Sequence, residues 1–459
     1  MEDHEGNIWM ASRGSGLIKY SHNSFVSFNF ENYIDGNLVR EIYQDSEGNL
    51  WFGLAAAGLV KYDGSTFTEF SKRDYPGIHN IRGITELRPG LLLLASVNGL
   101  FHFNGKRLQD VSDLYGLPQN IAYVDLYRDG DTIWLSSLNL GLARIVNGQG
   151  EVFSVQTGHL QSNFFNGIFK DSKGNIWFCS NNGIGKYHNG RFHWYTVEDG
   201  LSYPITLQAT EDRRGNIWIA TYTEGINIFN GEKFKNLTAE DGLNSDNIYS
   251  IITDLRGDIW AGTAKGVNRI LLDSSGNIKG IKSYGIYDGF TGIEANGTAI
   301  YIDRDENLWI GTVQGAMRYD PHESVPNLKE PQLHITDVGL FLRDVDWREE
   351  SYSEFHSGVS PWFNLPSDLV FPHDSNHLTF KFEALSYQVP EKVRYQWKLE
   401  GLDKDWSPVS DKTEAVYANI PPGEYTFMVR GMNNDGVWSQ IPTFYSFVIT
   451  SPWWGTWYF

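Results

Sequence analysis

Asp45-Ser46-Glu47-Gly48-Asn49-Leu50-Trp51 is the stretch on which the fold turns. An Asp that can bond its own backbone, followed by a Gly free to take positive φ, makes a tight turn. The Trp sits in the middle of the apolar segment that follows. The same phrase recurs at 3–9, 171–177 and 212–218. It returns with one change at 254–260, where Asp258 replaces the Asn, and at 303–309, where Glu306 replaces the Gly. Two copies are worn: Asp129-Gly130-Asp131 precedes Trp134, and Pro89-Gly90 precedes Leu93 in the place of the Trp. The anchors 9, 51, 93, 134, 177, 218, 260 and 309 are separated by 42, 42, 41, 43, 41, 42 and 49 residues. A period so nearly constant is the mark of a repeat architecture.

Each copy reads as four short strands. In the second copy these are residues 39–44, 49–54, 59–62 and 66–70, with Gly58 and Asp63-Gly64 at the later turns. Alternation and β-branched or aromatic content agree with strand throughout. Four antiparallel strands in about 42 residues is the size of a propeller blade. The Trp is expected to bury its ring between neighbouring blades. Two residues later comes a small side chain, at Ala11, Gly53, Ala95, Ser136, Cys179, Ala220, Gly262 and Gly311, which would let adjacent sheets approach. Cys179 is thus a member of a packing column rather than a reactive thiol. A propeller must close its ring to hide its edges. The eighth copy lacks an outer strand, and residues 24–30 can supply it. The sequence therefore predicts an all-β protein with a seven-bladed β-propeller over 21–325; an eight-bladed ring is the alternative.

From about residue 326 the period vanishes. Residues 378–384, 395–401 and 425–431 alternate cleanly, and Ile420-Pro421-Pro422-Gly423 is a turn. About seven strands in about 120 residues predict an immunoglobulin- or fibronectin-like β-sandwich over 326–450. Tyr425 follows its turn as a tyrosine at a sheet corner does, a structural role.

The chain has 459 residues and a formal charge of −19. A polyphosphate-binding surface needs the opposite sign, which argues against nucleic acid as a partner. With Cys179 as the single cysteine, neither an intrachain disulfide nor a cysteine metal cluster can form. Asp303-x-Asp305-x-Asn307 has the opening of a calcium loop, but Leu308 and Gln314 occupy the positions where Gly and Glu are needed. His373 and His377 lead into a strand and do not have helical zinc geometry. No nucleophile elbow or phosphate loop occurs. No metal, cofactor or catalytic residue is expected in this chain.

The repeat resembles the two-component regulator propeller family, whose blades carry D-x-x-G-N-x-W-x-G-T-x-x-G-L-x-x-Y; the match is close at 45–62 and 303–319. The joints Glu198-Asp199-Gly200-Leu201 and Glu240-Asp241-Gly242-Leu243-Asn244 also resemble that family's. The second domain is similar to the triple-tyrosine domain that follows such propellers. The residues that match are Tyr395, Leu399-Glu400-Gly401, Asp405-Trp406-Ser407, Tyr417, residues 421–425 and residues 435–439. The resemblance implies the periplasmic sensor region of a Bacteroidetes-type regulator anchored in the inner membrane. It also implies a histidine kinase module elsewhere in a longer protein, and an oligosaccharide as the signal. Residues 1–20 then read as the tail of a preceding propeller. The closing Trp453, Trp454, Trp457 and Tyr458 (within 451–459) read as an aromatic belt beside a membrane. Two copies are expected to pair through propeller and sandwich. The competing readings are a protein-interaction scaffold and a propeller lyase working at the central channel.

Residues that break the repeat are the better candidates for function, because the fold does not demand them. The loop after the Trp strand should reach one mouth of the propeller, and there sit Asn181, Asn182, Tyr222, Glu224, Lys265 and Gln314. The longer joint 284–297 adds Tyr287, Asp288, Glu294 and Asn296. Amides, carboxylates and aromatic faces suit a sugar, which offers hydroxyls and a C–H face.

Overall fold

The computed structural model describes residues 1–14, 16–21, 25–31 and 36–452. Trp453, Trp454, Trp457 and Tyr458 lie outside them. The chain divides into two compact units, Asn23–Ser324 and a second made of Met1–His22 with Val325–Phe459.

The recurring phrase is a hydrogen-bonded clamp. Asp45 Oδ1 accepts from the backbone N–H of Glu47 at 3.1 Å and of Asn49 at 2.8 Å. Asp45 Oδ2 accepts from Asn49 Nδ2 at 2.9 Å and from Trp51 Nε1 at 2.8 Å. One carboxylate thus closes the turn, fixes the Asn and orients the indole. The Trp Nε1 to Asp bond recurs at Trp9, Trp177, Trp218, Trp260 and Trp309, between 2.7 and 3.0 Å. Asp303 is one of these Asp residues, so its carboxylate belongs to the turn. A basic residue on the neighbouring strand caps several of the indoles: Lys61 over Trp51, Lys186 over Trp177 and Arg269 over Trp260, at 5.2–5.6 Å.

Between Phe25 and Tyr319 the strands form four-stranded antiparallel sheets, each built from one repeat. The first holds Val39–Gln44, Leu50–Leu54, Gly58–Tyr62 and Phe67–Ser71. The last is completed from the other end of the unit: Phe25–Phe28 pairs with Gly315–Tyr319, Phe25 opposite Tyr319. The inner strands are Val39–Gln44, Ile81–Arg88, Tyr123–Asp129, Phe165–Lys170, Thr206–Glu211, Ile248–Thr253 and Ala295–Ile302. They pack side by side in that order, and the last returns to the first. This is a β-propeller. The small-residue column is where the next sheet comes in. A Cβ on Gly53 would stand 2.8 Å from the Ile81 carbonyl oxygen, and one on Gly311 would stand 2.9 Å from Val39 Cγ1. Cys179 lies in that column, and burial pushes its thiol pKa up to about 12.

In the other unit, Gln332–Leu340, Leu378–Leu385 and Glu414–Tyr417 form one sheet. Leu369–Phe371, Thr443–Ile449, Gly423–Met432 and Arg394–Glu400 form another, with 369–371 parallel to 443–449. One apolar core joins them, and in it Phe380 stacks on Phe427 at 4.2 Å. The tyrosine hydroxyls tie loops to strands: Tyr425 donates to the Pro421 carbonyl at 2.9 Å and Tyr417 to Asp403 at 2.6 Å. The guanidinium of Arg430 lies between Trp406 and Trp438, 4.6 and 4.8 Å from their ring centres. The hairpin Ile8–Ser12 and Gly16–Tyr20 belongs to this unit. The Glu5 carboxylate accepts from the Ser386 hydroxyl and from the N–H groups of Tyr387 and Gln388, and Lys19 donates to the Tyr387 carbonyl at 2.7 Å. Among the described residues, no helix is long and apolar enough to cross a membrane.

Candidate functional site

Every inner strand is irregular near its first residue, and Ile81–Arg88 shifts a second time between Glu86 and Arg88. The pairing with the second strand shifts between Val39 and Glu41, Ile81 and Gly83, Tyr123 and Asp125, Phe165 and Gly167, Thr206 and Gln208, and Ile248 and Ser250. A bulge re-aims the residue it carries. The residues carried are Arg40, Arg82, Val124, Asn166, Leu207 and Tyr249, one from each of six successive sheets. In the seventh inner strand the irregularity is wider, between Ala295 and Ile300, and holds Asn296, Gly297 and Thr298. Thr298 takes φ 63° and nearby Ile293 φ 57°, a strained conformation for β-branched residues. The long spacing of 49 residues before Trp309 goes partly into this segment. The rest extends the outer hairpin Gly266–Leu272 and Ile278–Tyr284.

All of these bulge residues line one cavity of about 390 Å³ at an axial mouth of the propeller, joined there by Leu38, Tyr222, Glu294, Ala295 and Val313. The polar groups are held from behind. Arg40 Nη1 donates to Asn296 Oδ1 at 2.9 Å, and Asn296 Nδ2 donates to the Val39 carbonyl at 2.5 Å. Asn166 Nδ2 donates to the Thr206 carbonyl at 2.8 Å and to Asn181 Oδ1 at 3.0 Å. Arg82 Nε donates to Asn80 Oδ1 at 3.2 Å. Tyr222 and Tyr249 stand 6.3 Å apart at 53°, two aromatic faces on one side of the opening. Burial and then the neighbouring charge of Arg40 pull the Arg82 pKa down to about 10. Burial, followed by its bond to Glu294, pushes the Tyr249 pKa up.

One residue further along two of the strands are Glu41 and Asp125. Burial raises the pKa of Asp125 to about 7, against the bonds it accepts from the N–H groups of Ile168 and Leu126. Burial, and then the Asp125 charge, raise that of Glu41 well above the usual carboxylate range. The Asp125 bond to Ile168 crosses to the next sheet, and so does Gln208 Oε1, which accepts from the Ile251 N–H at 2.8 Å.

Of the residues expected from the sequence, Tyr222 and Asn296 line the cavity, and so does Glu294. Asn181 stands directly behind the lining, on Asn166. Asn182, Glu224, Lys265 and Gln314 are exposed on loops outside it, and Tyr287 is exposed in the short turn Ile286–Asp288. Asn296 belongs to the last inner strand rather than to the joint before it. The bulge residues Arg40, Arg82, Asn166 and Tyr249 were not anticipated. Their signal is a column at constant phase whose side chains vary from copy to copy, whereas the clamp and small-residue columns do not. No histidine is among the lining residues, and among the described residues no group of His, Cys, Asp or Glu could hold a metal ion.

Family models match in both units: the two component regulator propeller at 33–55 and 159–182, and the Y_Y_Y domain at 386–450. The chain carries two-component regulator propeller repeats followed by a Y_Y_Y domain. The matched propeller segments include Arg40 and the Asp45 clamp in one, and Asn166 and the Asp171 clamp in the other. A curated relative, Histidine kinase P4 of Formosa agariphila, is 25% identical over 200 residues, which is 42% of this chain and 14% of that protein. The extracellular domain of a hybrid two-component system from B. thetaiotaomicron has a similar fold. Its TM-score is 0.80 at 20% identity, covering 98% of this chain and 61% of that one. Virginiamycin B lyase from Staphylococcus aureus matches at a TM-score of 0.50 and 15% identity, over 64% of this chain and 98% of its own, and this shows the propeller fold alone. The chain spans less than two thirds of the first two of these relatives. Of the five tyrosines within the Y_Y_Y match, Tyr395, Tyr417, Tyr425 and Tyr445 each have a hydroxyl partner: Tyr395 accepts from the Ala384 N–H, and Tyr445 donates to the Pro366 carbonyl; Tyr387 instead packs its ring against His4 and Trp9. Four of the domain's tyrosines therefore fasten its strands and loops to one another.

Proposed function

We propose that this chain is the ligand-sensing part of a membrane-bound two-component regulator of the hybrid histidine kinase type, that it lies in the periplasm, and that its propeller binds an oligosaccharide at the axial mouth. The observation that carries the reading is the cavity of about 390 Å³ ringed by bulge residues from every sheet. Its volume falls in the range of small-ligand sites. Tyr222 and Tyr249 offer aromatic faces to sugar C–H groups, and Asn166 and Asn296 offer amides to hydroxyls. The sheets that carry Val124 and Leu207 at the bulge form without an amide or an aromatic ring there. In this reading the ring is a seven-bladed propeller, the second unit is an immunoglobulin-like sandwich, and the segment after 450 approaches the membrane. The hairpin of residues 1–20 is the end of another propeller sheet. Met10 and Ile18, whose counterparts Phe52 and Val60 are fully buried, are about two-fifths exposed in it. We read the chain as binding rather than catalytic, with phosphoryl chemistry in another module of the regulator and two copies paired in the signalling state. A ligand biases such a pair only through unequal affinity for its two states.

Isothermal calorimetry with a panel of plant and algal oligosaccharides tests the proposal. At least one should bind, and Tyr249→Ala and Asn166→Ala should weaken that binding together. Binding that survives both substitutions unchanged would remove the axial mouth from the reading, and a panel that gives no heat would remove the saccharide.

A further inference from the structure

The bulge column carries unlike side chains, and in two adjacent sheets it carries arginine. Val124, Leu207 and Tyr249 fill the same position elsewhere, so the propeller does not need a charge there. Two guanidinium groups facing one cavity repel each other and lose hydration. Among the described residues neither forms an ion pair with a carboxylate. Arg40 reaches only the Asn296 amide oxygen, Arg82 only that of Asn80, and Arg40 Nε is buried without an acceptor. Glu294, the one carboxylate in the lining, is turned to the Tyr249 hydroxyl. Two cations held this way in a chain of net charge −19 are a local exception to its field. The planar fork of arginine matches a carboxylate or a sulfate with two parallel bonds.

We infer that the axial mouth recognises a saccharide through an anionic group, a carboxylate or a sulfate ester, which Arg40 and Arg82 bind together. This rests on the mouth being the sugar site and adds the chemical class of the sugar. The anionic group lies against the arginine side of the cavity. The ring carbons face Tyr222 and Tyr249.

The test uses the whole 459-residue chain, with Arg40→Gln, Arg82→Gln and the double variant. In chloride buffer the variants should unfold at the same temperature as the parent or higher, since a repulsion has been removed; a clear fall would make the arginines structural and overturn the inference. Calorimetry then compares tri-galacturonate, a sulfated galacto-oligosaccharide and neutral galactotriose. An acidic sugar should bind at least about tenfold more tightly than the neutral one, and each arginine substitution should cost about tenfold or more. Which acidic sugar binds separates carboxylate from sulfate. Neutral galactotriose binding as well as its acidic counterpart, indifferent to both arginines, would overturn the inference while leaving the sugar site intact. A third arm reads the unfolding midpoint in sodium glucuronate and sodium sulfate against chloride at equal ionic strength. A rise in the parent that the double variant lacks, with no saccharide bound, would support the anion site and sink the saccharide reading. Equal rises in parent and double variant, with no saccharide bound, would overturn the inference.

Discussion

Replacing Asp171 by Ala should unfasten one sheet of the propeller at a cost that the clamp geometry sets. Asp171 Oδ1 accepts from the backbone N–H of Lys173 at 3.0 Å and of Asn175 at 2.8 Å; Oδ2 accepts from Asn175 Nδ2 at 2.6 Å and Trp177 Nε1 at 2.9 Å. Asn175 and Trp177 are 3% and 2% exposed, so water cannot replace the lost acceptor for their three donors. A buried donor left without a partner costs about 1–3 kcal/mol. Removing a charge that the fold had to desolvate returns part of this, leaving about 3–5 kcal/mol for D171A. Asp171→Asn keeps one oxygen but turns an NH2 toward donors, and should cost about 1–3 kcal/mol. Burial tends to raise the Asp171 pKa, yet the bonds from Asn175, Trp177 and the backbone hold it below the usual carboxylate value. The carboxylate therefore stabilises the fold above the unfolded pKa near 4, and that contribution is lost as the pH falls through the depressed value. Urea unfolding at pH 7, followed by circular dichroism, gives the costs directly. Combining D171A with Trp177→Phe should recover about 1 kcal/mol or more, because the indole N–H no longer needs an acceptor. A cost below about 1 kcal/mol for D171A, or strict additivity with W177F, would refute the clamp as the reason for the repeat.

Asp125 makes the opposite prediction. Its folded pKa of about 7 exceeds the unfolded value, so its contribution is full below pH 4 and lost as the pH rises through 7. Asp125→Asn should gain about 2–4 kcal/mol over the parent at pH 8 and nothing near pH 4, read from urea midpoints at the two pH values. Cys179, fully buried with its thiol raised to about 12, should resist a thiol reagent at pH 8 until the propeller opens, so labelling should track urea unfolding; fast labelling of the native protein would contradict its place in the packing column. Tyr425→Phe leaves the ring on Phe447 and deletes only its bond to Pro421, so it should cost about 0.5–1.5 kcal/mol in the Y_Y_Y unit, a loss that urea unfolding of that unit reads and that no change in its midpoint would rule out.

The propeller was legible because its reasons are local. One carboxylate, one amide and one indole within seven residues make a closed set of hydrogen bonds, and a set that must be rebuilt in every sheet leaves a period in the sequence. The small residue after the Trp is visible for the same cause: the next inner strand arrives at that spot each time. The worn copies lose the clamp and keep the strands, since Leu93 and Trp134 are still buried at the same register. Less legible was the cation lid over the indoles. Lys61, Lys186 and Arg269 lie on the strand beside the Trp, and only pairing brings them across. The Trp406–Arg430–Trp438 stack is of that kind too, because it joins residues from separate loops and one strand.

The site was only half legible, and the reason is the geometry of a bulge. Residues free of the repeat stand out in the loops after the Trp strand, where Tyr222 does reach the mouth. Those on the inner strands do not, because a strand residue alternates between faces and a bulge breaks that alternation by a single place. Arg40 sits between Val39 and Glu41 at the shift in pairing, and it is Arg40 that lines the cavity. Repeats offer a sharper rule. A column at fixed phase has the same backbone in every copy, so uniform residues in it serve the fold. Unlike residues in it (here Arg, Arg, Val, Asn, Leu and Tyr in six sheets) cannot all be serving one structural need. The asymmetry of such a ring is what lets a symmetric fold present an asymmetric surface, and the bulge column is where this propeller carries it.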